Sequence, residues 1–346
     1  MRAFRLEEPT TTAEAVNILA AHSPFARPVG GGTDLVAGVM RDQLIGAGMP
    51  YPTHLVDVTR VPDLRGIRVG PEGAVIGAAT TLVEIAESAD LRRSWPILAE
   101  SAGQVASPEI RAIGTLGGNL HQRPRCWFFR SKDFDCMKKG GDICFAVKGD
   151  NRYNAILDGH LCFIVHPSDL ATTLVALGAR ARVASRRGER MVTFDEYFVG
   201  PEENLLGETV LLPDELLLDV TIPRPAPDTR QAWEKLNEKG LQTWDFALAS
   251  VAVAMTVVDG AWRDGRIVLG SVAPVPYRAT VAEVALAGRD VRSALPAAIA
   301  AVRAAARPMR DNAYKLELVE VLLERVVLAA LERGPASGRL APEGSG

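Results

Sequence analysis

The order of apolar and polar positions divides the chain into three regions, and the first sixty residues predict a small α/β unit. Thr11 and Glu14 have the T-x-x-E spacing of a helix capping box, and the apolar run 13–20 follows them. The segment Ala26–Val29 predicts a strand that enters a glycine loop, and 54–58 predicts a second short strand. We therefore expect a βαβ-like alternation here.

The second region, residues 61–223, predicts a larger α/β unit. Thr81 and Glu84 again have capping-box spacing, and Ser168 begins a polar-to-apolar transition typical of a helix start. The pattern predicts strands at 73–78, 181–184 and 216–223, and helices after Thr81, over 93–106 and over 168–177. Residues 223–228 (PRPAPD) predict a linker because proline disfavours both helix and sheet interiors.

The third region, residues 229–333, predicts a separate α+β layer. Its strands are expected at 247–258 and 266–273, and its helices at 294–306 and 315–333. Residues 334–346 are small and polar and predict a disordered tail. The fold class expected for the whole chain is α+β.

Composition narrows the range of partners. The chain has 346 residues, of which 47% are apolar and 23% charged, and its formal net charge is −3. This charge gives no reason to expect nucleic acid, and no apolar run reaches the roughly 20 residues that cross a bilayer. The charged N-terminus lacks the pattern of an export signal of its own. We expect a cytoplasmic protein, or a periplasmic one if a signal-bearing partner exports it.

Two glycine-rich segments and one acidic residue are candidates for ligand binding. Gly30, Gly31 and Gly32 follow a predicted strand, where unpaired N–H groups can bind a phosphate. The dinucleotide motif G-x-G-x-x-G fails because position 35 is leucine. The segment 114–119 (GTLGGN) offers a second loop, and Asp169 offers a carboxylate for a sugar hydroxyl. Each piece also fits ordinary turn or capping chemistry.

All four cysteines fall within 37 residues, at Cys126, Cys136, Cys144 and Cys162. Their spacing contains no C-x2-C pair, which is common in zinc ribbons and ferredoxins. A metal or iron–sulfur site, buried free thiols and two disulfides all remain open on spacing alone. Residues 121–150 contain seven Lys or Arg and four Asp; this excess of cations would stabilise an anionic cluster, and it equally fits a solvated basic loop.

The segments PVGGGTDL, GTLGGNL and HPSDL, in this order, resemble the FAD-binding medium subunits of the molybdenum hydroxylases. The segments 214–223 (DELLLDVTIP) and 272–280 (VAPVPYRAT) are also similar to that family. The resemblance implies an α+β fold with a two-subdomain FAD-binding domain of the vanillyl-alcohol-oxidase type. A C-terminal α+β domain like that of the carbon monoxide dehydrogenase flavoprotein would follow it. The implied boundaries are 1–60, 61–223 with an insertion at about 121–165, and 229–333.

The resemblance also implies the cofactor residues. Those for FAD are Arg27, Pro28, Val29, Gly30, Gly31, Gly32, Thr33, Asp34, Leu35, Thr115, Gly118, Asn119, Gln122, Asp169, Leu217 and Lys235. The insertion is similar to that of periplasmic aldehyde oxidoreductases through RCWFFRSKDFDC at 125–136. This similarity implies a 4Fe–4S cluster bound by Cys126, Cys136, Cys144 and Cys162. Zinc is the main competing ligand.

The function implied is that of an electron-transfer subunit in a heterotrimeric molybdenum-containing aldehyde oxidoreductase. Its partners would be a large molybdenum-cofactor subunit, a small 2Fe–2S subunit and an external electron acceptor. No catalytic residue is expected on this chain, because substrate oxidation would occur on the large subunit. The alternatives are a medium subunit of a 4-hydroxybenzoyl-CoA reductase-like or xanthine dehydrogenase-like enzyme, and a zinc-stapled assembly subunit without flavin.

Overall fold

The computed structural model describes residues 1–43, 50–239 and 245–336, which form three β-sheets with helices around them. The strands are β1 Arg5–Glu7, β2 Ala26–Val29, β3 His54–Asp57, β4 Ile67–Gly70, β5 Gly73–Gly77, β6 Arg180–Ser185, β7 Gly188–Thr193, β8 Leu216–Pro223, β9 Thr229–Leu236, β10 Ala249–Val258, β11 Ala261–Gly270 and β12 Tyr277–Arg278. The helices are α1 Thr12–His22, α2 Leu82–Glu87, α3 Ala89–Ser94, α4 Pro96–Gly103, α5 Pro108–Ile113, α6 Leu116–Leu120, α7 Trp127–Arg130, α8 Asp169–Ala176, α9 Phe194–Tyr197, α10 Thr280–Leu286, α11 Val291–Ala305 and α12 Tyr314–Arg333. Within these ranges no helix has the length and apolar character needed to span a bilayer.

The first sheet confirms the βαβ expectation. Its order is β1-β3-β2 and both strand pairs are parallel. Thr11 caps α1, and Glu14 returns its side chain to the Thr11 backbone, so the predicted capping box is present. A π-helical segment, Leu35–Gln43, follows the glycine loop.

The second sheet has the order β4-β5-β8-β6-β7, with every neighbouring pair antiparallel. The late strand β8 therefore occupies the centre of a sheet whose other strands precede it in the chain. The predicted capping box at Thr81 and Glu84 begins α2, as expected.

The predicted single helix over 93–106 is wrong. The chain instead forms α3 and α4, which are separated at Trp95. Pro96 occupies the first turn of α4, where its missing N–H costs no intrahelical bond. The Trp95 indole donates to the Pro223 carbonyl at 2.9 Å, which fixes the break against the end of β8.

The third sheet, β12-β11-β10-β9, is antiparallel and packs with α8 against the second region. All eight residues of α8 are buried. One hydrophobic core joins residues of the second region to Trp233, Ala252, Ala254 and Val268 of the third. The predicted linker therefore runs between β8 and β9 without separating their cores. The α+β class is confirmed.

The insertion at about 121–165 has little regular structure. Besides α7 it contains two short 3-10 helices, Met137–Lys139 and Phe145–Val147. The last helix, α12, ends at Arg333. The predicted disordered tail lies, from residue 337 onward, outside the described residues.

Candidate functional site

A cleft of about 610 Å³ lies between the first two sheets and the start of α8. This volume is within the range of about 300–1,000 Å³ typical of small-molecule sites. All sixteen residues that the resemblance implied for FAD line it: Arg27, Pro28, Val29, Gly30, Gly31, Gly32, Thr33, Asp34, Leu35, Thr115, Gly118, Asn119, Gln122, Asp169, Leu217 and Lys235. Arg27 and Lys235 are 208 positions apart in the chain and line the same cleft.

The glycine loop packs directly on the segment before α6. A Cβ at Gly31 would lie 2.1 Å from the Ile113 carbonyl oxygen, and one at Gly30 would lie 2.4 Å from Thr115 Oγ1. Gly32 has a φ of +68°, which glycine adopts without strain. At Gly30 and Gly31 the absence of a side chain thus allows the two loops to pack against each other. This reason differs from the close approach to a phosphate that the sequence suggested.

The segment before α6 holds its own polar groups. Thr115 Oγ1 accepts from the Gly118 N–H at 3.1 Å and caps α6. The Asn119 side-chain oxygen accepts from Ser168 Oγ at 2.6 Å, which joins α6 to the N-cap residue of α8. Gln122 donates to the Asn119 carbonyl at 3.1 Å. These bonds fix the second loop in place before any ligand binds.

Asp34 connects the glycine loop to the insertion. Its carboxylate pairs with Arg125 at 2.7 Å and Arg130 at 2.9 Å, and it accepts from the Arg123 backbone N–H at 2.7 Å. Burial and the neighbouring Arg125 together lower the pKa of Arg130 to about 10. Both guanidinium groups remain charged at neutral pH. Arg125 also stacks over the Phe246 ring at 4.6 Å.

Asp169 and Lys235 form a buried ion pair at the floor of the cleft. Lys235 Nζ donates to Asp169 Oδ2 at 2.6 Å and to the Gln104 carbonyl at 2.7 Å. Their side chains are 10% and 2% exposed, so a charge left unpaired here would be costly. The sequence assigned Asp169 to a sugar hydroxyl. In the structure one of its oxygens is engaged by Lys235 and the second remains for such a contact.

Two histidines near the cleft are neutral. His121 Nδ1 donates to the Gly117 carbonyl at 2.8 Å, so its Nε2 accepts from the Tyr197 hydroxyl at 2.7 Å. Burial lowers the pKa of His121, and burial lowers that of His166 to about 4. His166 Nδ1 accepts from the Ser168 N–H at 3.4 Å, while its buried Nε2 has no hydrogen-bond partner among the described residues.

A buried chain of charges borders the cleft and was missed by the sequence reasoning. Glu208 pairs with Arg123 Nε at 2.8 Å and with Lys138 Nζ at 2.8 Å. Burial raises the pKa of Glu208, but the two cations outweigh burial and the net pKa is lowered. Nothing in the sequence near Glu208 distinguishes it from a surface glutamate, because its partners lie 70 or more positions away (208 minus 138).

All four cysteines line one small enclosed space, here called the cysteine cavity. None of them forms a disulfide. Phe128, Phe134 and Phe145 pack edge to face beside it, at centroid distances of 5.0 Å for Phe134 with each of the others. The cavity volume is about 10 Å³, close to that of one water molecule. A bound group larger than one ion therefore requires the thiols and rings to move apart.

Three of the thiols, those of Cys126, Cys136 and Cys162, are protonated at neutral pH in the absence of a cation. Burial raises the pKa of Cys126 and Cys136, and it raises that of Cys162 to about 12. Metal binding would therefore release protons. Tetrahedral zinc with Zn–S bonds of about 2.3 Å holds its sulfurs about 3.8 Å apart. Of the described residues, no three cysteine sulfurs all lie within 4.8 Å of one another.

Glu7, His22 and His54 form a second group of potential ligands that the sequence did not indicate. Their ligand atoms lie within 4.8 Å of one another. The two imidazoles stack at 3.8 Å with planes 11° apart, and Glu7 also pairs with Arg5 at 2.8 Å. Because stacked rings direct their nitrogens side by side, both rings would have to turn to share an ion. The three residues lie on β1, α1 and β3, so no short sequence motif contains them.

Comparison with known families matches nearly the whole chain. Residues 2–225 match the FAD binding domain in molybdopterin dehydrogenase, and residues 240–330 match the CO dehydrogenase flavoprotein C-terminal domain. The two-part architecture that the resemblance implied is therefore confirmed.

Curated relatives support the same assignment. The aldehyde oxidoreductase FAD-binding subunit PaoB of Escherichia coli is 32% identical over 95% of this chain and 99% of its own length. The carbon monoxide dehydrogenase medium chain of Afipia carboxidovorans is 30% identical over 95% of this chain and 97% of its own.

Among solved structures, a carbon monoxide dehydrogenase from Hydrogenophaga pseudoflava that lacks the Mo-pyranopterin moiety of its molybdenum cofactor contains a chain with the same fold. The TM-score is 0.75 and the identity 28%, with 96% of this chain and 99% of that chain covered. The curated relatives, the family models and the fold therefore agree over both domains. The protein belongs to the FAD-binding medium subunits of the molybdenum hydroxylases and is a subunit of an oxidoreductase.

Proposed function

We propose that this subunit binds FAD in the cleft and a 4Fe–4S cluster in the cysteine cavity of a molybdenum-containing aldehyde oxidoreductase. Electrons would arrive from 2Fe–2S clusters on a small subunit, after substrate oxidation on a large molybdenum subunit, and leave to an external acceptor. The observation that carries the proposal is the convergence of sixteen dispersed residues on one cleft and of four thiols on one cavity.

The cleft suits FAD by its lining. Its apolar wall includes Leu35 and Leu217, which suits a flat aromatic ring system. Arg27, which also lines the cleft, donates to the Pro24 and Ala26 carbonyls at 3.1 and 3.0 Å. Its cation and the backbone of the glycine loop suit an anionic diphosphate. Bound FAD would supply the transfer of one or two electrons. The protein would bind and orient it and exclude water.

The cysteine cavity supports a metal by its donor set. Four thiols from one insertion line one small cavity, and three phenylalanine rings pack beside it. An iron–sulfur cubane spreads its ligands more widely than one zinc ion, in keeping with sulfurs that do not cluster within 4.8 Å. The small cavity volume requires the insertion to open on cluster binding, which couples metal binding to folding.

The aldehyde class rests on the relative from Escherichia coli, whose name is an aldehyde oxidoreductase subunit. The segment RCWFFRSKDFDC in the insertion supports the same class through its resemblance to the periplasmic enzymes. The substrate site itself would lie on a partner chain.

Purification of the complex, with its partner subunits co-expressed under anaerobic conditions, tests the proposal. We expect about one FAD, and about four irons beyond those of the small subunit, per copy of this chain. Separating the subunits and measuring iron, zinc and flavin on this chain assigns each group to it. One zinc and no iron on this chain would overturn the cluster, and absence of flavin would overturn the cleft assignment.

A further inference from the structure

Two lysines of the insertion are buried, and one of them is paired with a residue that lines the cleft. Lys138 and Lys139 are each 1% exposed, whereas Lys132 and Lys148 are exposed. Lysine is almost never fully buried unless it is paired, so a specific partner is expected. For Lys139 the observed partner is the Ser131 carbonyl, at 2.6 Å and inside the insertion. For Lys138 the partner is the carboxylate of Glu208, at 2.8 Å.

The Lys138–Glu208 pair separates the cysteine cavity from the cleft. Lys138 lines the cavity together with all four cysteines, and Glu208 lines the cleft. The carbonyls of Leu205 and Gly207 also accept from Lys138 Nζ, at 3.1 and 3.0 Å, which fixes the ammonium group. The other oxygen of Glu208 pairs with Arg123. The pair is therefore held from both sides by atoms of this chain.

A fixed buried charge acts strongly on nearby electron transfer. Solvent and salt screen buried charges much less than exposed ones. A cation stabilises the reduced, more negative form of a neighbouring centre, and an anion stabilises its oxidised form. Charge and hydrogen bonding around a cluster are established determinants of its potential.

We propose that the Lys138–Glu208 ion pair is an electrostatic element shared by the two redox sites. Lys138 raises the reduction potential of the metal centre held by the four thiols, and Glu208 lowers the reduction potential of FAD in the cleft. The pair thus favours the reduced state on the cavity side and the oxidised state on the cleft side. This inference rests on the proposed function, because it requires a redox-active metal in the cavity.

The test uses the assembled complex and four variants. In Lys138→Met the buried cation is lost, Lys138→Arg retains a cation, and Glu208→Gln removes the anion with little change in shape. Lys132→Met is the matched control, since it removes one charge from an exposed position in the same insertion. EPR-monitored redox titration gives the midpoint potential of the metal centre, and the flavin absorption gives that of FAD. Iron and FAD contents are measured in every variant.

We expect Lys138→Met to lower the metal-centre potential relative to Lys132→Met, and Lys138→Arg to remain close to the wild type. Glu208→Gln should raise the midpoint potential of the FAD that the complex retains. If Lys138→Met loses its iron, the test depends on Glu208→Gln alone. Removal of this anion should raise the midpoint potentials of both the metal centre and FAD. The shared role would be overturned if the variants changed neither midpoint potential, or changed only that of the metal centre or only that of FAD. Either result would leave the proposed function intact. A wild-type chain without iron would overturn both.

Discussion

The cleft draws its residues from Arg27 to Phe246, whereas every residue that lines the cysteine cavity lies between Cys126 and Ile164. Helices and strands with shared cores hold the cleft, and its polar groups are already paired: Asp34 with two arginines and Asp169 with Lys235. The cavity is formed by turns and short helices, and burial raises the pKa of its Cys126, Cys136 and Cys162 thiols. Such a difference implies that the fold alone forms the cleft, whereas the cavity would depend on the metal that we propose for it.

The largest effect should come from removing one thiol. Cys136→Ser replaces a buried sulfur ligand with a hydroxyl, which binds iron poorly, so we expect complete loss of the extra iron with FAD retained. The insertion should also become more sensitive to proteolysis. Met137→Leu, at a neighbouring position that lines the same cavity, is the matched control and should keep its iron. Loss of FAD together with iron in Cys136→Ser would show that the cleft is not formed independently.

The next effect breaks the cleft instead. In Gly31→Ala the new methyl would lie 2.1 Å from the Ile113 carbonyl oxygen and force the two loops apart. Overpacking of about 1–3 kcal/mol corresponds to about 5- to 150-fold weaker FAD retention. Gly200→Ala is the control, because nothing lies within 4 Å of a Cβ there and its φ is not positive. Flavin released on dilution is the measurement. Equal retention in both variants would refute the role of the loop contact.

Asp34 tests whether the two regions support each other. Asp34→Asn removes the charge that Arg125 and Arg130 share, and we expect a loss of about 2–3 kcal/mol in the free energy of unfolding. Both FAD and iron contents should fall, because this residue joins the glycine loop to the insertion. Asp142→Asn, at an exposed position of the insertion, should change neither. Denaturant unfolding with cofactor analysis gives both quantities, and a fall in one cofactor alone would contradict the joining role.

The last effect depends on pH and involves His166. Burial lowers the pKa of His166 to about 4 from an ordinary value of 6.5, so the unfolded chain binds a proton before the folded one does. This contribution is fully present above pH 6.5 and is lost as the pH falls towards 4, by up to about 3 kcal/mol. His166→Gln should flatten this part of the stability profile, whereas His160→Gln, at an exposed position, should not. Chemical unfolding between pH 7 and 4 measures the difference, and parallel profiles for the wild type and His166→Gln would exclude the effect.

Local chemistry made part of this structure predictable. The two capping boxes are contained in four consecutive residues each, and both form. The family resemblance implied sixteen FAD residues, and the structure brings all of them to one cleft. Periodicity alone would not have predicted that Leu217 and Gly31 line the same site. The break between α3 and α4 was missed even though Pro96 signals it, because the apolar spacing continues across Trp95.

The pairs that complete each site could not be predicted. Asp169 meets Lys235 across 66 positions, and Glu208 meets Lys138 across 70 (208 minus 138). Such pairs form only when the sheets and the insertion pack together. The sequence around a charged residue does not indicate which distant residue it will pair with. The sequence therefore indicated which residues approach the cleft but not which of them are already engaged.

The two family domains share one hydrophobic core, in which Trp233 and Val268 pack with residues of the FAD-binding part around the wholly buried α8. A fragment cut at the boundary between the two matched domains would expose this surface to water and would tend to aggregate. Chimaeras between relatives face the same constraint: a carboxyl-terminal portion can be exchanged only together with the helix face on which it rests. The two domains that the family models match separately must therefore be exchanged together when the protein is engineered.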